Sequence, residues 1–176
     1  TDVRAATKEQ VESLGGKFIM VEDDEVQNAE TEGGYAKEMS DEYKRKQAQL
    51  ISETVAKQDI VICTALIPGK KAPVLITEEM VSSMIPGSVV IDLAVEAGGN
   101  CPLSKMNEII LHNGVKIVGY GNVTGRVAKD ASARYAKNIF NFVSLLIDKE
   151  NKKINFDFED EIINSVLLTY DGDVRL

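Results

Sequence analysis

The sequence predicts an α/β domain with a doubly wound parallel sheet. Short apolar runs alternate along the chain with stretches of helical periodicity, as they do in successive βαβ units. The 176 residues, of which 44% are hydrophobic and 27% charged, suffice for one domain with its own core. The apolar runs are much shorter than the roughly 20 residues of a membrane helix, so direct membrane insertion is not expected.

The first predicted elements are a helix, a strand and a long loop. A capping-box pattern and a following glycine pair predict a helix over Thr7 to Leu14. The residues after the glycine pair predict a strand over Lys17 to Val21. The stretch from Glu22 to Glu38 is acidic and aperiodic, which indicates a surface loop of a length that often carries function.

The middle of the chain supplies the strands of the predicted sheet. Ser40 can cap a helix that continues to about Lys57, and Thr77 can cap a shorter helix that ends at Met84. Buried parallel strands show as near-continuous apolar runs. Such runs lie at Asp59 to Ala65, Ser88 to Ala94 and Lys116 to Tyr120.

The last stretch of the chain is predicted to contain a long helix and a hairpin. A broad apolar face indicates a helix over Ala131 to Asp148. Apolar and polar residues then alternate at Asn155 to Phe158 and at Val166 to Tyr170. Asp171-Gly172 follows as a turn, so the chain is expected to finish in a β hairpin.

Composition argues against several classes of function. A formal net charge of −8 disfavours a sequence-independent surface for nucleic acid or anionic lipid. Cys63 and Cys101 form no CxxC pair, so neither a zinc site nor a disulfide framework is expected. His112, the one histidine, lies in a segment interpreted as a turn. Without it no nucleophilic triad can be assembled, so hydrolytic and metal chemistry are disfavoured.

Ligands of open α/β sheets lie across the carboxyl ends of the strands, which makes the residues just past each strand informative. Asp2 could accept hydrogen bonds from an adenosine ribose and, by its charge, repel the extra phosphate of NADP. The alternative is that Asp2 is a solvated carboxylate near a chain start, which is the commoner case for a single acidic residue. The segment from Gly119 to Gly125 approximates a glycine-rich phosphate loop, but its third glycine falls one position late, so it is interpreted as a turn.

Two loops after strands combine small residues with tight turns. The loop from Cys63 to Gly69 lets backbone groups approach a flat ligand, and a nicotinamide carboxamide needs such backbone donors and acceptors. A purely structural turn is an equally open interpretation. Asp92 and Glu96 flank the second loop and could act as acid or base, or simply as solvated or hydrogen-bonded loop carboxylates.

Four segments together resemble one family. They are Thr1 to Val11, Gly33 to Met39, Thr64 to Pro73 and Asp92 to Cys101, and they are similar to the NAD-binding domain of the alpha subunit of proton-translocating NAD(P) transhydrogenases. The resemblance implies that residues 1–176 are the C-terminal portion of one NAD(H)-binding domain. That domain would be a Rossmann-like doubly wound sheet, of which this chain lacks the first strand and the glycine-loop helix.

The resemblance also implies which residues bind the cofactor. Asp2, Val3 and Arg4 would lie along the adenosine ribose. Gly34 and Tyr35 would belong to a mobile loop that closes over NAD(H). Thr64, Ala65 and Leu66 would lie near the nicotinamide and its ribose.

The resemblance further implies direct hydride transfer from NADH on this domain to NADP+ on a separate NADP(H)-binding partner domain, coupled to proton movement through a membrane domain. Such a transfer needs no acid or base from the protein, since the cofactors carry the chemistry. A homodimer, held peripherally at the cytoplasmic or matrix face of a membrane, is the implied assembly. Two alternatives stay open: a fragment of an alanine dehydrogenase-like enzyme, and an inactive scaffold.

Overall fold

The computed structural model describes residues 1–2, 6–22 and 39–175. The chain divides into two compact units, Thr1–Gly121 and Asn122–Leu176. Within the described residues no helix has the length and apolar character needed to cross a bilayer.

The first unit is built on a four-stranded sheet with the order β1-β2-β4-β3. Strands β1, β2 and β4 run parallel, and β3 pairs antiparallel with β4 across the turn at Asn113 and Gly114. Both turn residues have positive φ, the backbone that a two-residue hairpin requires. The elements are α1 Ala6–Ser13, α2 Asp41–Val55, β1 Ile60–Cys63, α3 Glu78–Ser83, β2 Val89–Asp92, a 3₁₀ turn Val95–Ala97, β3 Ile109–His112 and β4 Val115–Val118.

The two helices that cover the sheet begin where the sequence places their caps. The Ser40 hydroxyl accepts a hydrogen bond from the Tyr43 amide at 3.1 Å, and Thr77 does the same for the Met80 amide at 3.3 Å. Each cap satisfies one of the amides that the first turn of a helix leaves unpaired.

One face of the sheet forms the core. Buried side chains of α2 and α3 pack there against alternate residues of three strands, among them Cys63, Val90 and Ile117. Strand residues of the opposite parity point to the other face. Four of them are exposed: Ile60, Ile62, Ile109 and Leu111. The sheet of the first unit is therefore covered on one face and largely bare and apolar on the other.

The second unit consists of short elements around one long helix. They are α4 Val123–Arg126, α5 Ala128–Leu145, β5 Ile147–Asp148, β6 Lys153–Ile154, α6 Glu161–Val166, β7 Thr169–Tyr170 and β8 Asp173–Val174. The strands form two antiparallel pairs, β5 with β6 and β7 with β8. The last pair turns through Asp171 and Gly172, both with positive φ. This confirms the predicted terminal hairpin.

The predicted α/β class with a parallel sheet is confirmed, and several local predictions are wrong. The segment interpreted as a turn before residue 126 contains helix α4, and Ile147–Asp148, predicted as the end of the long helix, form strand β5. Residues 17–21 form no strand, because no strand of the described sheet lies beside them; Met20 and Val21 pack instead against Met39 and Tyr43. His112 ends strand β3 rather than lying in a turn. The alternating residues 155–158 also form no strand, and helix α6 follows them where none was expected.

Candidate functional site

The carboxyl ends of β1 and β2 lie side by side at one edge of the sheet. The two strands are parallel and in register, with Cys63 opposite Asp92, and the Leu93 amide continues the ladder by donating to the Cys63 carbonyl at 2.9 Å. The loops that follow the two strands, residues 64–69 and 93–101, are therefore neighbours. This is the edge at which open α/β sheets receive ligands.

Asp92 organises the second of these loops. Its carboxylate is completely buried and accepts hydrogen bonds from the Ala94 amide at 3.0 Å, the Cys101 amide at 3.0 Å and the Ser104 hydroxyl at 2.7 Å. Because the loop surrounds the carboxylate with donors, Asp92 has no route to a ligand. Of its two open interpretations, the structure supports the hydrogen-bonded loop carboxylate.

A glycine is required beside this carboxylate. Gly98 and Gly99 both have positive φ, at 99° and 81°, and a Cβ added to Gly99 would lie 2.8 Å from Asp92 Oδ2. Any side chain there would combine an unfavourable backbone with a clash against a buried charged group. The paired glycines therefore serve the fold of the loop.

Asn100 ties the two loops together. Its side chain is completely buried, accepts a hydrogen bond from the Ala65 amide at 3.0 Å and donates to the Ala65 carbonyl at 3.0 Å. It donates a further hydrogen bond to the Pro73 carbonyl at 2.7 Å. The sequence alone assigns Asn100 no role, because a single asparagine after two glycines is also common in plain turns.

An open cleft of about 730 Å³ lies beside the first loop. Leu66 and Ile67 are exposed in its wall although they are apolar, and Lys70 and Lys71 bring positive charge to it. Its lining residues are Leu66, Ile67, Pro68, Gly69, Lys70, Lys71 and Ala97. A flat apolar ligand could therefore lie against the turn that ends β1.

The two cysteines under this edge are poorly suited to act as nucleophiles. Both are buried and free. Burial raises the pKa of the Cys63 thiol to about 12, and the charge of Asp92 and the neighbouring Cys101 thiol add to the effect. Burial likewise raises the pKa of Cys101. Thiols held protonated in this way are poor nucleophiles at neutral pH.

The residues proposed for the cofactor fall into three groups. Thr64, Ala65 and Leu66 lie together in the loop after β1, with Thr64 and Leu66 exposed and Ala65 half-buried. Asp2 is half-buried in the short described segment at the N-terminus. Val3, Arg4, Gly34 and Tyr35 lie outside the described residues. Glu96 is exposed on the 3₁₀ turn that follows β2.

His112 lies at the opposite edge of the sheet and does not form a relay. Its Nε2 atom is 3.0 Å from Ser82 Oγ and 3.9 Å from Glu78 Oε1. A catalytic triad needs the acid on the other ring nitrogen, so this arrangement lacks the required geometry. Within the described ranges no group of three or more His, Cys, Asp or Glu side chains is placed to hold a metal ion.

Comparison with known proteins places the whole chain in one family. Residues 1–176 match the model described as alanine dehydrogenase/PNT, C-terminal domain. An NAD(P) transhydrogenase alpha-subunit polypeptide of Rhodospirillum rubrum is 60% identical over 172 residues, which are 98% of this chain and 45% of that protein. The chain therefore spans less than half the length of this relative.

A solved structure and a second enzyme type give further comparisons. The crystal structure of transhydrogenase from Sinorhizobium meliloti superposes with a TM-score of 0.71 at 47% identity, over 98% of this chain and 44% of that one. Alanine dehydrogenase 1 of Staphylococcus aureus is 32% identical over 128 residues, which are 70% of this chain and 34% of that protein. The similarity to the transhydrogenases is thus both higher and more extensive.

Proposed function

This chain belongs to the alanine dehydrogenase/PNT C-terminal domain family, and we propose that residues 1–176 are the C-terminal portion of one NAD(H)-binding domain of a transhydrogenase. The observation that carries the proposal is the 60% identity with a transhydrogenase alpha subunit across 98% of the chain. At this identity the site residues of the two proteins are expected to be shared.

The sheet of the first unit supports the view that the chain is one portion of a larger domain. Strand β1 pairs only with β2 among the described strands, although its sequence, IVIC, is that of a strand buried on both faces. Ile60 and Ile62 of β1 are each about 60% exposed. An exposed apolar edge strand favours pairing. We infer that strands from the region of the relatives that this chain does not span continue the sheet beside β1 and that their helices cover the bare face.

The cofactor is proposed to lie across the carboxyl ends of β1 and β2. Its nicotinamide end would meet the loop after β1, where Leu66 presents an exposed apolar side chain and the backbone comes close to the cleft. The remaining assignments follow from the family resemblance. The proposed NAD(H)-binding residues are Asp2, Val3, Arg4, Gly34, Tyr35, Thr64, Ala65 and Leu66.

The proposed reaction is Re/Si-specific hydride transfer from NADH in this domain to NADP+ on a separate partner domain. The nicotinamide carbon of NADH gives up a hydride, and the nicotinamide of NADP+ accepts it, so no proton donor or acceptor is needed from the protein. The site suits such a transfer, because Asp92 is sequestered by three hydrogen bonds and both thiols are held protonated. This chain would contribute position and orientation.

The proposed assembly has three further features. A membrane domain would couple hydride transfer to proton translocation, and a second copy of the NAD domain would complete a homodimer. The chain itself would lie at the cytoplasmic or matrix face, attached through these partners, and would be inactive alone. The relatives' designation as a transhydrogenase subunit supports partners of this kind.

A second candidate is an alanine dehydrogenase-like function. It is favoured by the 32% identity with an alanine dehydrogenase over 70% of the chain. Such an enzyme would oxidise L-alanine with NAD+ and would require a substrate pocket in the region that this chain does not span. An inactive scaffold is the third possibility.

A pair of assays on the intact protein with its partner subunits separates these functions. We expect NADH-dependent reduction of NADP+ and no L-alanine-dependent reduction of NAD+. The second activity without the first would establish the dehydrogenase. If the protein showed neither activity and did not bind NADH in a fluorescence titration, the inactive scaffold would be the remaining possibility. The matched control is the same preparation without its NADP(H)-binding partner, which should bind NADH but transfer no hydride.

A further inference from the structure

We propose that Asn100 is a positioning residue that holds the backbone of the loop after β1 in the conformation that receives the nicotinamide. This inference rests on the proposed function, since it assigns a role to a residue beneath the proposed cofactor site. Asn100 is not one of the proposed NAD(H)-binding residues, because it contacts the loop and not the cofactor.

The geometry shows how one side chain can fix this loop. The β1–β2 ladder ends at Cys63 and Asp92, and beyond that point the two chains separate. The Asn100 carboxamide takes over as the next partner: its oxygen accepts from the Ala65 amide and its nitrogen donates to the Ala65 carbonyl, both at 3.0 Å. These are the two bonds that a neighbouring strand would supply. The Asn100 side chain therefore takes the place of a neighbouring strand residue and continues the hydrogen-bond pattern of the sheet as far as Ala65.

Asn100 is itself held from both sides. Its backbone carbonyl accepts hydrogen bonds from the Leu75 and Ile76 amides at 2.9 and 3.1 Å. The next residue, Cys101, donates its amide to the buried Asp92 carboxylate. A completely buried carboxamide with its backbone anchored in this way has little freedom. Ala65 is thus held in place by Asn100, whose own position is fixed by its backbone hydrogen bonds and by that of Cys101 to the end of β2.

This arrangement decides which backbone groups can recognise a ligand. Asn100 uses the one N–H of Ala65 and one of the two acceptor positions of its carbonyl, so Ala65 has no backbone donor left for a nicotinamide carboxamide. Leu66 makes no backbone hydrogen bond to any other described residue. Thr64 makes none either. Recognition of the carboxamide by this loop therefore falls mainly on the backbone groups of Thr64 and Leu66, which the fixed Ala65 between them orients.

The test is Asn100→Asp in the intact protein. The substitution keeps the size and the oxygen that accepts from Ala65, but it replaces the nitrogen by an oxygen that faces the Ala65 and Pro73 carbonyls. At pH 8 we expect NADH affinity to fall about tenfold, as for the loss of one well-placed interaction. Affinity for ADP-ribose, which lacks the nicotinamide, should be unchanged.

A pH series adds a readout that a general loss of structure would not give. Burial beside two carbonyls raises the pKa of the introduced carboxyl group. Lowering the pH from 8 to 6 should therefore protonate it in part, restore one donor and recover NADH affinity. Asn100→Ser removes the carboxamide altogether, so it should weaken NADH without recovery. The unsubstituted protein at each pH controls for every effect of pH that does not come from the introduced carboxyl group.

Asn138→Asp is the matched control, because it makes the same chemical change at an exposed position on α5. It should leave both ligands unaffected. Unchanged NADH affinity in Asn100→Asp and Asn100→Ser would overturn the positioning role while leaving the proposed function intact. Equal weakening of NADH and ADP-ribose would also overturn it. Failure of the unsubstituted protein to bind NADH would instead reject the proposed function.

Discussion

The two units of the chain differ in how they use apolar side chains. In Thr1–Gly121, helices α2 and α3 bury theirs against the sheet, and Val81, Val90 and Ile117 are fully enclosed. In Asn122–Leu176, Ile163 is the one buried side chain among the described residues. The long helix α5 buries none of its 18 residues.

This contrast shows that an apolar face in a helix sequence does not by itself mean that the face is buried. Helix α5 carries an apolar face as clear as that of α2, yet Ile139, Phe140 and Val143 are 45%, 64% and 42% exposed. Burial of apolar area is the main favourable term in folding, so the first unit should account for most of the chain's stability. The second unit depends on local features, such as the Asp160 side chain that accepts from the Ile162 and Ile163 amides.

The largest expected effect concerns the thiols, which both lie in the first unit. The pKa of Cys63 is raised from 9.0 to about 12, mainly by burial, so its thiolate population at pH 8 falls about a thousandfold. We expect neither thiol to react with a disulfide reagent in the folded chain and both to react at once in denaturant. Thiol release against time, with and without guanidinium, measures this.

The raised pKa of Cys63 also predicts that the stability of the folded chain falls at alkaline pH. The folded pKa is above the unfolded one, so the unfolded chain binds fewer protons between the two values. The contribution of Cys63 to stability is therefore full below about pH 9 and is lost as the pH rises towards about 12. A Cys63→Ser variant should lack this alkaline fall.

In the labelling experiment, rapid reaction of the thiols in the folded chain at pH 8 would show that the first unit opens easily. The expected difference in stability between the two units would then be wrong.

The next effect compares one isoleucine from each unit. Ile117→Ala removes a fully buried side chain of β4 and should lower the free energy of unfolding of the 176-residue chain by about 2 to 5 kcal/mol. Ile139→Ala on α5 should change it by only about 0.5 kcal/mol or less, because the site is exposed and alanine favours helix. Urea unfolding followed by far-UV circular dichroism gives both values. Similar losses would mean that α5 is packed in solution.

The elements that could be predicted from the sequence are those fixed by local signals. The caps at Ser40 and Thr77, the turn at Asp171 and Gly172, and the apolar runs of β1, β2 and β4 all act over a few residues. The prediction of a strand at Lys17 to Val21 is wrong because a strand needs a partner, which no local pattern reveals. Strand β3 is not evident from the sequence, because the turn signal of Asn113-Gly114 lies directly after His112 and makes the end of the strand resemble part of the turn.

For the candidate site, the sequence predicts the loop after β1 but not the buried side chains that hold this loop in place. Glycines, a proline and small residues after β1 indicated a loop where backbone could approach a ligand. The role of Asn100 depends on its meeting Ala65, 35 residues earlier in the sequence. Asp92 was ambiguous for the same reason, because only the fold shows that three donors converge on it. Long-range hydrogen bonds of this kind leave no periodicity to detect.

The smallest expected effect tests the local stability of the second unit. Tyr170 makes edge contacts with Phe156 and Phe158, with ring centroids 5.5 and 5.1 Å apart, and these contacts brace the β7–β8 hairpin. Tyr170→Ala should remove about 1 kcal/mol of stabilisation. Exchange of the Arg175 amide hydrogen, which is bonded to the Leu168 carbonyl at 2.8 Å, should then become about fivefold faster.

Tyr135→Ala is the control, because Tyr135 lies exposed on α5 and belongs to neither of these ring pairs. Exchange at Arg175 should be unchanged in this variant. The thiols of the first unit should stay protected in both, since opening of a hairpin in the second unit need not disturb the sheet. If Tyr170→Ala also exposed the thiols, the two units would unfold cooperatively, and the expected difference in their stability would be wrong.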